Sequence, residues 1–288
     1  MPFPYPTPPS SRPVCPCMLN SVEIAYLALF NGRARMKSPG NKQFGIVAIL
    51  DALGAASYSD AEIETFLKSR ENALKLLDLK IEGFLGEIKR FQVDIFTFND
   101  TILIVLKTGQ NMPSLKQLSA FFAILRKFLV DSLTNRILFR GSVAVGSFYT
   151  DNDTNTVMGQ AVTDAAAWYD KAEWIGIHAT PKTAIFIQQH LEQSTSGNKT
   201  HLMLDYPVPI KGGGVLKVKA VNWPKVFFVD GLTPCDKGHE RKTLLSYLSA
   251  HPVPRGTEEK YFNSIQFFDD SVKDMKKEQA AKKKRPKT

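Results

Sequence analysis

The stretch FGIVAILDALGAAS, Phe44–Ser57, decides how the rest of the chain is read. Gly45 to Leu50 is apolar almost without a break and rich in β-branched residues, the pattern of a fully buried strand. It ends on a bare carboxylate, Asp51, followed by Ala-Leu-Gly-Ala-Ala. Small residues let backbone amides come close to a ligand. Consecutive amides leading toward a helix start make an anion site. A carboxylate beside an anion site makes sense when a cation joins the two, as Mg²⁺ does when it binds one or two carboxylates together with substrate phosphates.

Downstream, Ser59-Asp-Ala-Glu62 reads as a capping box opening a long helix, with apolar residues at Ile63, Phe66, Leu74, Leu77, Ile81 and Leu85. Phe91–Phe98 and Thr101–Lys107 read as strands joined by a tight Asn99-Asp100 turn. That turn supplies a second carboxylate. If the hairpin lies beside the first strand, Asp51 and Asp100 meet at one end of a sheet. Each aspartate alone is also what a turn or helix cap uses. A second amphipathic helix is expected at Ser114–Leu133, then a strand FRGSVAVGSFY at Phe139–Tyr149 and a polar loop at Asp151–Thr156. A helix at Ala161–Glu173, a strand at Trp174–His178, a helix at Pro181–Gln193 and strands at His201–Val208 and Leu216–Trp223 follow. The order β-α-β-β-α-β-α-β predicts an α+β fold: a mostly antiparallel, ferredoxin-like sheet with helices on one face and a C-terminal extension.

The 288 residues are 43% hydrophobic, enough for a substantial core, and carry a formal charge of +9. The excess is terminal. Residues 1–42 hold five Arg/Lys and one Glu, and residues 273–288 hold eight Arg/Lys and two acids, which leaves 43–272 near neutral. A folded part without a basic face argues against nucleic-acid binding by the core. The basic end reads as a solvated tail, or as one that touches acidic lipid, a partner or nucleic acid. The expected organisation is a disordered Pro-rich leader at 1–42, a core at 43–230, an extension packing on it at 231–272 and a basic disordered tail at 273–288. Met36 is an alternative start for the chain. Cys15, Cys17 and Cys235 fit no metal-site spacing, and three is odd; the expectation is a reducing cytoplasm without disulfides. No run reaches the roughly 18 apolar residues of a membrane helix. The apolar stretch near the N-terminus is broken by Glu23, which argues against a cleaved signal. The five histidines show no metal or triad spacing.

The segments AILDALGAAS, FTFNDTILIV, RGSVAVG, GQAVTDAAAWYDKAEWIGI, AVNWP and EKYFNSIQFF, in this order and spacing, resemble bacterial pyrimidine cyclases of the Pycsar antiphage system, divergent relatives of class III nucleotide cyclases. The resemblance runs from about Phe44 to Phe268. It implies a class III cyclase-like fold and two metal-binding aspartates at the positions of Asp51 and Asp100. It also implies a main-chain carbonyl ligand at Ala52, with two Mn²⁺ or Mg²⁺ ions. Leu53, Gly54, Ala55 and Ala56 match the segment whose amides hold the triphosphate. Arg140 matches the arginine opening the strand motif, either paired with a carboxylate or touching phosphate. The implied reaction makes 3′,5′-cyclic UMP or CMP and pyrophosphate in a homodimer, the product acting on a separate effector in antiviral defence. Purine cyclases of class III carry Asn and Arg on the helix where this chain has Thr163 and Ala167. Lys171 and Lys260 are candidates for the missing positive charge. The helix VTDAAAWYDKAEWIGI fits a subunit interface, or Trp168 and Trp174 are core. A purine cyclase on the same fold, or an inactive nucleotide-sensing or scaffold module, are the alternatives.

Overall fold

Strand β1 (Gln43–Ala52) is an interior strand of the sheet, and its two faces are buried differently. The computed structural model describes residues 42–55, 58–87, 92–193, 202–229, 235, 237–251, 253 and 256–283. These fall in the unit Asn41–Thr288. The expected leader lies, except for Lys42, outside the described residues.

After β1 come α1 (Asp60–Glu87), β2 (Gln92–Phe98), β3 (Thr101–Gly109), α2 (Leu115–Thr134), β4 (Phe139–Asp151), β5 (Thr156–Met158) and α3 (Gln160–Trp168). Then follow β6 (Gly176–Ala179), α4 (Pro181–Gln193), β7 (Met203–Ile210), β8 (Gly214–Val221), a 3₁₀ turn (Trp223–Phe228), α5 (Glu240–Ser249) and α6 (Glu258–Lys283). The fold is α+β. One open sheet runs β2-β3-β1-β4-β6-β8-β7, with β5 paired to β4. Among the described strands only β4 and β6 run parallel. The first four strands and two helices, ordered β4-β1-β3-β2, have the ferredoxin-like arrangement expected from the sequence.

The helices form where the sequence caps them. The backbone N–H and hydroxyl of Ser59 both donate to the Glu62 carboxylate, at 2.8 and 2.7 Å, ahead of α1. Ser114 and Gln117 form a reciprocal capping box at the start of α2. The apolar stripes of α1 and α2, with Ile187 of α4 and Phe267 and Phe268 of α6, belong to the same core as Ile46, Ala48 and Leu50. Alternation along the strand sends Val47 and Ile49 to the other face. There they meet Phe96, Val105, Ala144 and Phe148 beneath Ala161 and Ala165 of α3. The expectation that all helices share one face is corrected: α3 lies on the opposite side.

Helix α3 also ends early. Ala161–Glu173 was expected to be helical, but the helix stops at Trp168 and the next strand starts at Gly176 rather than Trp174. The peptide groups that would continue the helix are used elsewhere. Glu173 N–H donates to Pro209 O at 2.9 Å, and Lys171 O accepts from Lys211 N–H at 2.9 Å. The stretch after Val272, expected to be a disordered tail, continues as helix to Lys283, with i,i+3 pairs Lys273–Asp270 and Lys277–Asp274 along it. Residues 284–288 lie outside the described residues.

Candidate active site

Asp51 stands on the α3 face of the sheet, two residues beyond Ile49, where that thin cover runs out. Its position opposite Thr101 on β3 sets it beside the β2–β3 turn that carries Asp100. The turn is tight: Asn99 takes a positive φ of 50°, and the next peptide joins the two segments as Ala52 N–H donates to Asp100 O at 3.1 Å. Arg70 of α1 reaches across to donate to Asn99 O, so the long helix holds the turn in place. The sequence expectation that Asp51 and Asp100 share one sheet end is met by this register.

On the other side Asp51 lies directly opposite Arg140 on β4. Arg140 Nη2 and Nε both donate to Asp51 Oδ2, at 2.9 and 3.1 Å, and Nη1 donates to the main-chain oxygen of Asp170 at 3.1 Å. Of the two roles open for Arg140, the structure realises pairing with a carboxylate. Gly141, next along, has no room for a Cβ: it would sit 2.3 Å from Ile49 O. That close strand contact brings the arginine alongside the aspartate. Burial raises the Asp51 pKa, Arg140 opposes the rise, and the neighbouring charges of Asp100 and Asp170 add to it. Charged groups on four segments therefore act on Asp51 or stand beside it: β1, the β2–β3 turn, β4 and the loop after α3. Tyr169 feels all of them: burial raises its hydroxyl pKa, as do Asp51, Asp170 and Asp100, against Arg140.

The loop after β1 behaves in part as expected. Gly54 takes φ 86°, a left-handed conformation that glycine adopts without strain. Leu53, expected to offer its amide to phosphate, spends it on Leu138 O at 2.8 Å, and its own carbonyl accepts from Tyr58 Oη at 3.3 Å. Ala55 O accepts from Tyr58 N–H at 3.2 Å. Ala56 lies outside the described residues. Ala52 is buried at the junction of the two segments.

Sequence reasoning missed three contributors. Asp170 holds Arg140 through its carbonyl, and its carboxylate accepts from Lys211 Nζ at 3.4 Å, which brings the Gly-rich β7–β8 turn to the rim. Arg70 carries no local signal beyond its place in the long helix. The signal for Asp170 and Lys211 is absent from local pattern, because their meeting depends on the loop leaving α3. Of the expected cations, Lys260 is buried in an ion pair with Glu173 at 3.2 Å, and Lys171 is exposed, 4.0 Å from Asp170. Trp174 is core, stacked on Tyr206 at 5.7 Å and edge-on to Phe267 at 4.8 Å. Thr163 and Ala167 are exposed on α3.

Among the described residues no three His, Cys, Asp or Glu side chains group as a metal cage. The carboxylates that the register brings to one sheet end are Asp51 and Asp100. Such a pair suits a hard cation which keeps water and takes further oxygens from a substrate. Among the described residues no helix is long and apolar enough to cross a membrane.

No protein-family model matches the sequence, and no curated protein matches it. Among solved structures, the adenylyl cyclase CyaB from P. aeruginosa is similar at 14% identity, over 63% of this chain and 94% of that one, with a TM-score of 0.39. A likeness at that level fixes neither activity nor substrate.

Proposed function

We propose that this chain is a nucleotide cyclase that converts UTP or CTP to the 3′,5′-cyclic monophosphate and pyrophosphate. The observation carrying the reading is the convergence of Asp51 and Asp100, 49 residues apart in sequence, at one end of the sheet. Pyrimidine preference and a role in antiviral defence through a separate effector rest on the sequence resemblance alone.

In the reaction the ribose 3′ oxygen bonds to the α-phosphorus, the bond from that phosphorus to the bridging oxygen breaks, and pyrophosphate leaves with that electron pair. The hydroxyl proton passes to solvent. Asp51, Asp100 and the main-chain oxygen of Ala52 would hold Mn²⁺ or Mg²⁺. Such ions supply a lowered hydroxyl pKa and compensation for charge on the oxygens being bonded and released. Arg140 binds a single oxygen of Asp51, Oδ2, which orients the carboxylate. Lys211 stands at the rim on a carboxylate that a phosphate group would replace. Phosphoryl transfer is mainly positioning and electrostatics, so no Ser, Cys or His nucleophile is needed.

The reading includes a homodimer. The α3 face presents Phe98 at 71% exposure and the exposed small residues Thr163, Ala166 and Ala167. A second copy on this face would complete the cover that α3 gives only in part.

The test is incubation of the full chain with each of the four ribonucleoside triphosphates and Mn²⁺ or Mg²⁺, reading cyclic monophosphate and pyrophosphate by mass. Cyclic UMP or CMP is expected; a purine product would move the chain to the purine cyclases. A second reading, an inactive nucleotide-sensing module, is favoured by Thr163 and Ala167 standing where purine cyclases of class III carry Asn and Arg. It would be chosen if no triphosphate is turned over.

A further inference from the structure

The C-terminal helix α6 reaches the site through a loop. Its residues Lys260, Asn263 and Ser264 share one face by their i, i+3, i+4 spacing. All three are spent on the same short segment, Glu173–Ile175. Lys260 Nζ pairs with Glu173 Oε2 at 3.2 Å, with both side chains largely buried. Asn263 Nδ2 donates to Glu173 O at 2.7 Å. Ser264 Oγ accepts from Ile175 N–H at 2.7 Å inside the protein. From the other side, Glu173 N–H is held by Pro209 O and Lys171 O holds Lys211 N–H. The gripped segment begins three residues after Asp170, whose carbonyl takes the third hydrogen bond of Arg140, the residue that orients Asp51.

The chemistry of the grip is informative. The same helix face continues as Phe267 and Phe268, both buried in the core. Burying an ammonium group and a carboxylate costs desolvation that an apolar pair of similar volume avoids. A helix serving cohesion alone would carry aliphatic residues at these positions. Three polar side chains aimed at one loop instead fix where that loop's backbone lies.

We propose that Lys260, Asn263 and Ser264 are positioning residues that set the Asp170 carbonyl, and through it the Arg140–Asp51 pair, so that the C-terminal extension is part of the machinery of the site. Only the activity arm of the test rests on the cyclase reading. The geometric arm does not.

The experiment uses the full chain with Asn263→Ala, Ser264→Ala, and Lys260→Met combined with Glu173→Gln, which avoids an isolated buried charge. The first readout is the Arg140 Nε–H resonance in ¹⁵N-labelled protein, assigned by its loss in Arg140→Lys. Donation to Asp51 slows its exchange with water. The variants are expected to shift it and speed exchange about tenfold, with melting temperatures close to the parent. The second readout is turnover: kcat falls about tenfold or more while KM for the triphosphate changes little, because misplacement acts on the reacting geometry. Lys260→Arg and Ser264→Thr restore both. An unchanged Arg140 resonance in all three variants overturns the proposal, as does an activity loss that tracks only the unfolded fraction. If Ser264→Ala fails to fold, Asn263→Ala decides. If the parent turns over no triphosphate, the cyclase reading falls, and the Arg140 resonance alone upholds or overturns the positioning role.

Discussion

Arg140 places two of its N–H groups on a single oxygen of Asp51, at 2.9 and 3.1 Å, from directly across the β1–β4 ladder. The side chains are 12% and 16% exposed, so the pair sits mostly out of water. Arg140→Ala leaves the carboxylate without its counter-charge and is expected to cost about 3 kcal/mol of stability. Urea unfolding of Arg140→Ala, Asp51→Ala and the double variant checks this. A coupling of about 1–3 kcal/mol is expected, since the two residues touch.

Asp51→Asn is expected to abolish turnover without lowering stability. Burial raises the folded-state pKa of Asp51 above its ordinary value, so its favourable contribution is present below the unfolded pKa and is lost as pH rises through the folded one. At pH 7 the ionised carboxylate is therefore a net cost of folding, and the amide removes it while keeping an oxygen for Arg140. Thermal melts at pH 7 should show Asp51→Asn equal to or above the parent. A drop of several degrees would mean that the carboxylate is there for cohesion.

Stability should fall on acidification well before the carboxylates titrate. Burial lowers the pKa of His178 to about 4, and burial, with a contribution from Arg136, takes His251 to about 4. Both rings are neutral in the folded protein and charge on unfolding, so the unfolded chain binds more protons between pH 6.5 and 4. Stability then rises with pH across that window, by about 1.4 kcal/mol per pH unit for each histidine. Melting temperature against pH, with His178→Asn flattening the slope, is the measurement.

Ser114→Ala removes a reciprocal cap from α2, whose apolar face includes the fully buried Phe121, Leu125 and Phe128. The expected loss is about 1 kcal/mol, read by urea unfolding, with little effect at the site.

Much of this architecture was legible because it is written in local pattern. The continuous apolar run before Asp51 is β1, Asn99-Asp100 is the hairpin turn, and Ser114 with Gln117 marks the start of α2. The carboxylate pair followed from strand order alone. Residues Val47 and Ile49 carry the signal for α3: a strand apolar at every position needs cover on both faces, and α3 provides it. The end of α3 at Trp168 could not be read from AAAWYDKAEW, which favours helix locally. It is overridden by hydrogen bonds to Pro209 of β7 and Lys211 of the turn after it, about forty residues later. Asp170, Lys211 and the three clamping residues of α6 became visible only with that override.

Mn²⁺ titrated into the full chain with UTP present, followed by the loss of the free-ion electron paramagnetic signal, compares the parent with Asp51→Asn and Asp100→Asn. Binding by the parent, weakened tenfold or more by either single substitution, is what two carboxylates gripping shared cations require. Equal binding by the parent and both variants would contradict it.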